Sequence, residues 1–255
     1  MKNSKISWTH HTFSPWKGCT RVSGACDNCY AALMSERRGW AEWGPGKPRI
    51  RSSEKVWSEP LDWNRAVEAS GKPNQRVFCM SLGDIFDTEV DPAWRDEVFE
   101  LIKKTPRLDW LLLSKRPREA VKYYEEKGWP DNGWVGTTVE DQAHAYRAEI
   151  IKAIPAPVRF LSMEPLLEPV KVNLDGIDWV IAGGESGPNY RFLPKAWVLD
   201  VQNQCREAKV PFFFKQWSSF ASDALGHELN GEVCHAFPTP KNRKAAIDTD
   251  VAVAE

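Results

Sequence analysis

This sequence predicts an α/β protein built as a TIM-like (β/α) barrel, partial or complete, with six to eight mainly parallel strands and a cysteine loop after the first strand. Three observations predict it. Six short apolar runs recur along the chain, most lead into a helical pattern, and several are continuous rather than alternating in hydrophobicity. Continuous runs mark strands buried on both faces, the situation of a parallel sheet covered by helices. Strands alternating with helices imply right-handed βαβ units, hence a wound sheet or a barrel. With 255 residues, 42% of them apolar, the chain has material for one such domain. That domain is read as 1–237, and 238–255 as a disordered tail.

In chain order, Ile6-Ser-Trp-Thr supplies an N-terminal strand that leads into the cysteine loop. Residues 40–76 form a long excursion rich in Trp, Gly, Pro and basic residues, with some helix from Pro60 to Ala69. The apolar runs follow: Val77 to Leu82, Asp109 to Ser114, Trp134 to Val139, Arg159 to Met163, Asp178 to Gly183 and Val210 to Lys215. Between them, Pro92 to Lys104 places Trp94, Val98, Leu101 and Ile102 at helical spacing, with Asp91 as N-cap and Pro92 at the first helical position. Arg118 to Lys127, Asp141 to Ala153 and Pro194 to Ala208 carry the same period. A short hairpin lies between His227 and Phe237.

A net charge of −1 excludes a generally basic nucleic-acid coat and leaves room for a local basic patch. No apolar stretch reaches the roughly 18 residues that span a bilayer, and the first residues lack the apolar core of a signal peptide. The expectation is a cytoplasmic protein without membrane contact. Six cysteines are too few for a disulfide scaffold, and the cytosol keeps thiols reduced. Three of them crowd into eleven positions, and clustered reduced cysteines point to metal. Cys79 and Cys205 read as core packing and Cys234 as incidental.

The ends of the six runs carry Ser81 with Asp84; Ser114, Lys115 and Arg116; Thr137, Thr138 and Glu140; Ser162 and Glu164; Gly183, Gly184, Glu185 and Ser186; and Lys215, Gln216 and Trp217. In a parallel barrel these ends converge on one rim, where such folds build their sites. Lys115, Glu140, Glu164 and Lys215 are the candidate catalytic groups. Lys115, Arg116 and Lys215 would either hold a carboxylate or phosphate or pair internally with Glu140, Glu164 and Glu185. A barrel hydrolase or lyase working through Asp84, Glu140 and Glu164 is a further reading.

The cysteine loop runs Ser14-Pro-Trp-Lys-Gly-Cys19-Thr-Arg-Val-Ser-Gly-Ala-Cys26-Asp-Asn-Cys29-Tyr30-Ala, a C-x6-C-x2-C arrangement that enters a helix. Thiolates suit iron–sulfur clusters and structural zinc. A closed zinc site needs a fourth ligand, for which His10, His11 and Cys79 are the candidates. A [4Fe–4S] cluster on Cys19, Cys26 and Cys29 leaves one iron open, whereas a closed zinc only staples the loop. The non-enzymatic reading is a zinc- or cluster-stapled module that binds nucleic acid or a partner protein.

Gly18-Cys19, a spacer, then Cys26-x-x-Cys29-Tyr30-Ala31, preceded by Pro15-Trp16, resembles the cluster loop of radical S-adenosylmethionine enzymes, notably the spore photoproduct lyase-like branch. Leu113-Ser-Lys-Arg-Pro117 resembles a strand-end lysine segment of the same enzymes. They space the first two cysteines more closely than the six residues found here, and often place an aromatic where this chain has Asn28. Trp8, Pro15-Trp16, Gly18-Cys19, Cys29-Tyr-Ala31, Trp134 to Glu140, Arg159 to Pro165, Gly183 to Gly187 and Phe213 to Trp217 together resemble a phage- and prophage-associated three-cysteine-motif family of unknown function. That resemblance covers roughly residues 4 to 218. What these resemblances imply is a [4Fe–4S] cluster on the three cysteines, S-adenosylmethionine as cofactor, and an electron donor. By the same resemblance Gly183, Gly184, Glu185 and Ser186 would hold the methionine amino group, with Tyr30 in the cofactor site.

Arg37, Arg38, Lys47, Arg49 and Arg51 lie among Trp40, Trp43 and Trp57. The mixture suits a phosphate backbone with stacked bases, or equally a solvated basic loop anchored by tryptophans. A nucleic acid or nucleotide is the substrate class this suggests.

Overall fold

The computed structural model describes residues 1–222 and 224–242. In chain order its first elements are β1 (His11–Phe13), β2 (Trp16–Lys17), α1 (Tyr30–Arg38), β3 (Ile50–Arg51), α2 (Glu54–Ser70) and β4 (Gln75–Cys79). Then come α3 (Pro92–Lys103), β5 (Leu108–Ser114), α4 (Pro117–Lys127), β6 (Gly133–Thr138), α5 (Tyr146–Ile151) and β7 (Arg159–Met163). The chain continues through β8 (Trp179–Ala182), α6 (Lys195–Ala208), β9 (Phe212–Phe214), β10 (Glu228–Leu229) and β11 (Glu232–Val233).

Seven strands form one curled sheet in the order β1-β4-β5-β6-β7-β8-β9, and every pair is parallel. Spatial order follows chain order, as in a barrel wall, but the terminal strands β1 and β9 do not pair with each other to close it. The fold is therefore the partial form of the barrel, a half-barrel.

Alternation along each strand divides the side chains between two cores. Val77, Trp110, Leu112, Val135, Leu161 and Val180 face outward and pack with helix residues such as Val98, Ile102, Ala120 and Val201. On the other face Trp8, Phe78, Leu111, Trp134, Phe160, Trp179, Ile181 and Phe213 fill the bore. Each such side chain contributes roughly 2–3 kcal/mol when withdrawn from water, so the bore is a packed plug rather than a channel. The outer edge of β9 is covered, because Phe214 N donates to Cys234 O at 2.8 Å and Ala236 N to Phe212 O at 3.1 Å. This covering segment returns from the β10–β11 hairpin, whose Asn230-Gly231 turn has φ of 58° and 82°, the mirror-image turn that suits strand twist.

Helix α3 begins as its sequence predicts: Asp91 Oδ1 accepts from Ala93 N at 2.9 Å, with Pro92 first in the helix. Three expectations are corrected. Ile6 to Thr9 is a turn, closed by Thr9 N on Ile6 O at 3.2 Å, which delivers Trp8 to the bore, and pairing starts only at His11. The helix in the excursion is longer than Pro60 to Ala69. It spans 17 residues and covers β1, where Trp63 stacks on His11 at 4.4 Å and Trp57 meets Phe13 edge-on. The stretch from Asp141 to Ala153 is broken into a short 3-10 turn, capped by Asp141, and the six-residue α5. Of the tail, Lys241 pairs with Asp178 at 2.8 Å, and residues 243–255 lie outside the described residues.

Candidate functional site

Because the strands are parallel, the polar ends of β4 to β9 share one end of the half-barrel. The cysteine loop is stretched across that end. Gly18 N donates to Leu82 O at 3.1 Å beyond β4, and Cys19 Sγ lies 3.6 Å from Arg116 Nη1 beyond β5. At its far side Asn28 Nδ2 donates to Glu185 Oε2 at 3.1 Å, and Gly24 O accepts from Arg191 Nη2 at 2.9 Å, both beyond β8. The Tyr30 hydroxyl donates to Ser81 O at 3.2 Å, although the residue as a whole is 43% exposed. Burial of that hydroxyl, then the nearby Cys29 and Glu164, push its phenol above the ordinary tyrosine range.

The polar residues at the strand ends are largely spoken for. Asp84 Oδ1 accepts from Ser114 Oγ at 2.6 Å and Phe86 N at 2.9 Å, and Oδ2 from Lys115 N and Arg116 Nη1, each at 3.0 Å. A carboxylate so fully engaged is a structural hub, not a free acid or base. Glu164 pairs with Lys215, which is the internal pairing foreseen for that lysine. Glu140 is wholly buried, with Oε2 on Arg147 Nη1 at 2.8 Å and Oε1 at 3.6 Å from His144 Nδ1. Glu185 takes the Arg191 guanidinium as a fork, with Arg191 N and Asn28 Nδ2 as further donors. Against the upward pull of burial, these bonds hold its carboxyl below the usual range. Arg147, Arg191 and Asn28 are partners that sequence reasoning missed.

Of the glycines from Gly183 to Gly187, positive φ is found at Gly187, at 131°, and not at Gly183 or Gly184. Gly184 is required by close approach, since a Cβ there would stand 2.4 Å from Ser218 N. Ser186 bridges to Ser219, so the segment is zipped onto the loop beyond β9. Three polar side chains do remain open. The register pairs Ser114 with Thr137 and Thr138 with Ser162, which sets Lys115, Thr138 and Ser162 in one row across β5, β6 and β7. Alternation carries them to the bore face, above the aromatic plug. Thr138 Oγ1 is buried without a partner, and among the described residues Lys115 Nζ has no ion pair.

The chemistry of the three-cysteine donor set suits an iron–sulfur cluster. Among the described residues only Glu140, Asp141 and His144 bring three ligand atoms within 4.8 Å of one another, so at least one pair of the three sulfurs stands farther apart than that. Zinc would hold its sulfurs about 3.8 Å apart, whereas a cluster places each thiolate on its own iron at a separate corner of a cube. Cys29 is the N-cap residue of α1, so the loop passes directly from its third cysteine into that helix. Burial pushes the Cys19 thiol up to about 12, with Asp84 adding to the rise and Arg116 opposing it. The three residues foreseen as a fourth zinc ligand are engaged elsewhere. His10 Nδ1 accepts from Arg76 N at 2.9 Å, His11 Nε2 bonds Gln75 at 2.8 Å, and Cys79 is fully buried in the outer core.

The basic, tryptophan-rich excursion is tied inward. Arg49, only 1% exposed, bonds Asp87 at 2.7 Å and Thr20 Oγ1 at 2.7 Å. Arg51 lies over Trp57 at 4.0 Å and pairs with Glu97, and Lys47 pairs with Glu42 at 2.5 Å. Of the five basic residues, Arg37, Arg38 and Lys47 are exposed, and Arg38 lies over Trp40 at 4.9 Å.

Among the described residues no helix is long and apolar enough to cross a membrane. Among curated proteins, none matches the sequence. Among solved structures, a spore photoproduct lyase with a cysteine-to-serine substitution matches with a TM-score of 0.50 and 10% identity, over 81% of this chain and 74% of that one. A second spore photoproduct lyase, doubly substituted and with bound AdoMet and dinucleoside spore photoproduct, matches with a TM-score of 0.47 and 10% identity over 79% of this chain. This chain spans 62% of the length of that second protein. At such identity the likeness is one of fold. Residues 3–241 match one family profile along almost their whole extent, and the chain belongs to that family, DUF5131, a family of proteins of unknown function.

Proposed function

We propose that this protein is an iron–sulfur enzyme of the radical S-adenosylmethionine type that acts on a nucleic acid or nucleotide. The observation that carries the reading is the placement of three cysteines on a loop laid across the C-terminal rim of a parallel half-barrel, tied to the ends of β4, β5 and β8. Cys19, Cys26 and Cys29 would hold a [4Fe–4S] cluster. Such a cluster, supplied with an electron by a donor and with S-adenosylmethionine, provides radical chemistry that no side chain can provide.

The chain's own residues would bind and orient. Lys115 offers an unpaired ammonium to a carboxylate or phosphate, and Thr138 and Ser162 offer hydroxyls beside it. The aromatic plug below closes the bore to water. Phe192 and Phe220, 78% and 71% exposed, stand on the loops beyond β8 and β9 and present faces on which bases stack. Glu185 stays with Arg191 and Asn28 and acts by holding the loop, so any contact with a cofactor amino group would have to displace one of those donors.

Protein purified without oxygen should carry about four irons per chain and be brown. With a strong reductant and S-adenosylmethionine it should release 5′-deoxyadenosine. Lys115→Ala should weaken S-adenosylmethionine binding about tenfold, the loss of one charge-assisted bond, and leave folding stability unchanged. A colourless protein carrying one zinc per chain, or an iron-loaded one that never cleaves S-adenosylmethionine, would overturn the proposal.

A further inference from the structure

Cys19 is held by more than its loop. Beneath it lies a buried lattice of four charges: Arg116 and Asp84 are 10% and 8% exposed at the side chain, Arg49 1% and Asp87 0%. Arg116 is the member that reaches the sulfur. Its Nη1 stands 3.0 Å from Asp84 Oδ2 and 3.6 Å from Cys19 Sγ. Its Nη2 donates to Thr20 O at 2.8 Å and lies 3.6 Å from Asp87 Oδ1. Arg49 closes the lattice from behind, with Nε on Asp87 Oδ2 at 2.7 Å and Nη2 on Thr20 Oγ1 at 2.7 Å.

A lattice of this kind is a poor route to stability, because desolvating the charges cancels most of their attraction. What it achieves is placement. The fork of Arg116 is fixed on its far side by two carboxylates, so its near side cannot follow the sulfur if the sulfur moves. One guanidinium is thereby set against the sulfur of one cysteine, at a depth where water screens it little.

We propose that Arg116 is a positioning residue that fixes Cys19 and supplies the positive charge that raises the reduction potential of a cluster held there. The proposal rests on the cluster reading above. Hydrogen bonds to ligand sulfurs and the net charge around a cluster are the levers by which proteins set its potential. Reduction adds one negative charge to the centre, so a fixed cation beside it favours the reduced state and a fixed anion opposes it.

The two signs of the lattice can be altered separately. Arg116→Gln removes the cation at the sulfur. Asp87→Asn removes an anion that does not touch the sulfur. Arg116→Lys keeps the charge. Each is compared with wild type in the full-length, cluster-loaded protein, by iron content and by a potentiometric titration followed by electron paramagnetic resonance. Arg116→Gln should lower the equilibrium constant for reduction at least tenfold, about 59 mV for a one-electron couple. Asp87→Asn should raise it, and Arg116→Lys should stay within threefold of wild type.

A purely structural role would cost iron in every variant and move no potential with opposite signs. Fully loaded Arg116→Gln at the wild-type potential overturns the proposal, as does Asp87→Asn that leaves the potential unmoved or lowered. Should Arg116→Gln fail to fold, a raised potential in Asp87→Asn beside an unmoved Arg116→Lys supports it. Wild type that takes up no iron overturns the cluster reading, and this inference with it. Loaded wild type with variants that do not shift overturns this inference alone.

Discussion

Replacing Gly184 by alanine tests whether the Gly-Gly pair beyond β8 serves the fold or a bound cofactor. A Cβ at Gly184 would stand 2.2 Å from Ser218 Oγ, 2.4 Å from Ser218 N and 2.7 Å from Ser218 Cα. Two of those atoms are backbone and cannot swing aside, so the loops beyond β8 and β9 must part. The bonds that zip them are Gly184 N to Gln216 O at 3.0 Å, Glu185 N to Ser218 Oγ at 3.2 Å and Ser219 N to Glu185 O at 3.0 Å. At about 1 kcal/mol each, their weakening puts the loss at about 2–4 kcal/mol, on the order of 10 °C in Tm for a domain of this size. At Gly183 the new Cβ meets Gln216 O and Lys215 Cβ at 3.4 Å, which small shifts absorb, so the loss there should be below about 1 kcal/mol. Urea and thermal unfolding of the two variants give both numbers. Gly184→Ala as stable as wild type, or Gly183→Ala equally damaged, would refute the packing argument and return the pair to a ligand-binding role.

Two further outcomes follow from buried charge. Arg49→Met takes from Asp87, which is wholly buried, the nearer of its two cations, and should cost about 3 kcal/mol in urea unfolding; a loss below about 1 kcal/mol would mean that Arg49 is exposed in solution. His10 is held neutral by burial, then by Arg76 and His11, so its pKa falls from 6.5 to about 4. The unfolded chain therefore binds more protons than the folded one between those values, and stability should fall as the pH drops from 6.5 to about 4. The full gap is worth about 3 kcal/mol, trimmed to about 1–2 by the water that reaches the half-buried ring. His10→Gln should flatten that slope in Tm against pH, and an unchanged slope would assign it to other groups.

The strands β4 to β9 were legible because a strand buried on both faces is apolar along its length, and Leu108 to Ser114 or Trp179 to Ala182 has no other way to be buried. Helix α3 was legible because its cap and its proline are local. Trp8 was not, because whether a tryptophan extends a strand or turns to plug a bore depends on the aromatic residues of β4, β6 and β8, which the local sequence does not show. Arg49 was misplaced for a related reason. A run of arginines and tryptophans looks solvated until Asp87, 38 residues away, is brought against it.

The same division governs the site. That charges gather beyond each strand end is written in single short motifs, but which charge meets which is decided in three dimensions. Glu185 meets Arg191 rather than a lysine, and Glu140 meets Arg147 from its own following turn. Pairing then does something that a list of motifs cannot: it withdraws residues from chemistry. Once Glu140, Glu164, Glu185 and Asp84 have each taken a cation, Lys115 is, among the described residues, a rim cation without an ion pair, and the hydroxyl still unanswered beside it belongs to Thr138. A buried donor without a partner carries a standing cost of about 1–3 kcal/mol, and a ligand that answers it recovers that cost on binding. The capacity of this rim therefore lies in the few polar groups that its own pairing leaves over, and those lie in a row across β5, β6 and β7.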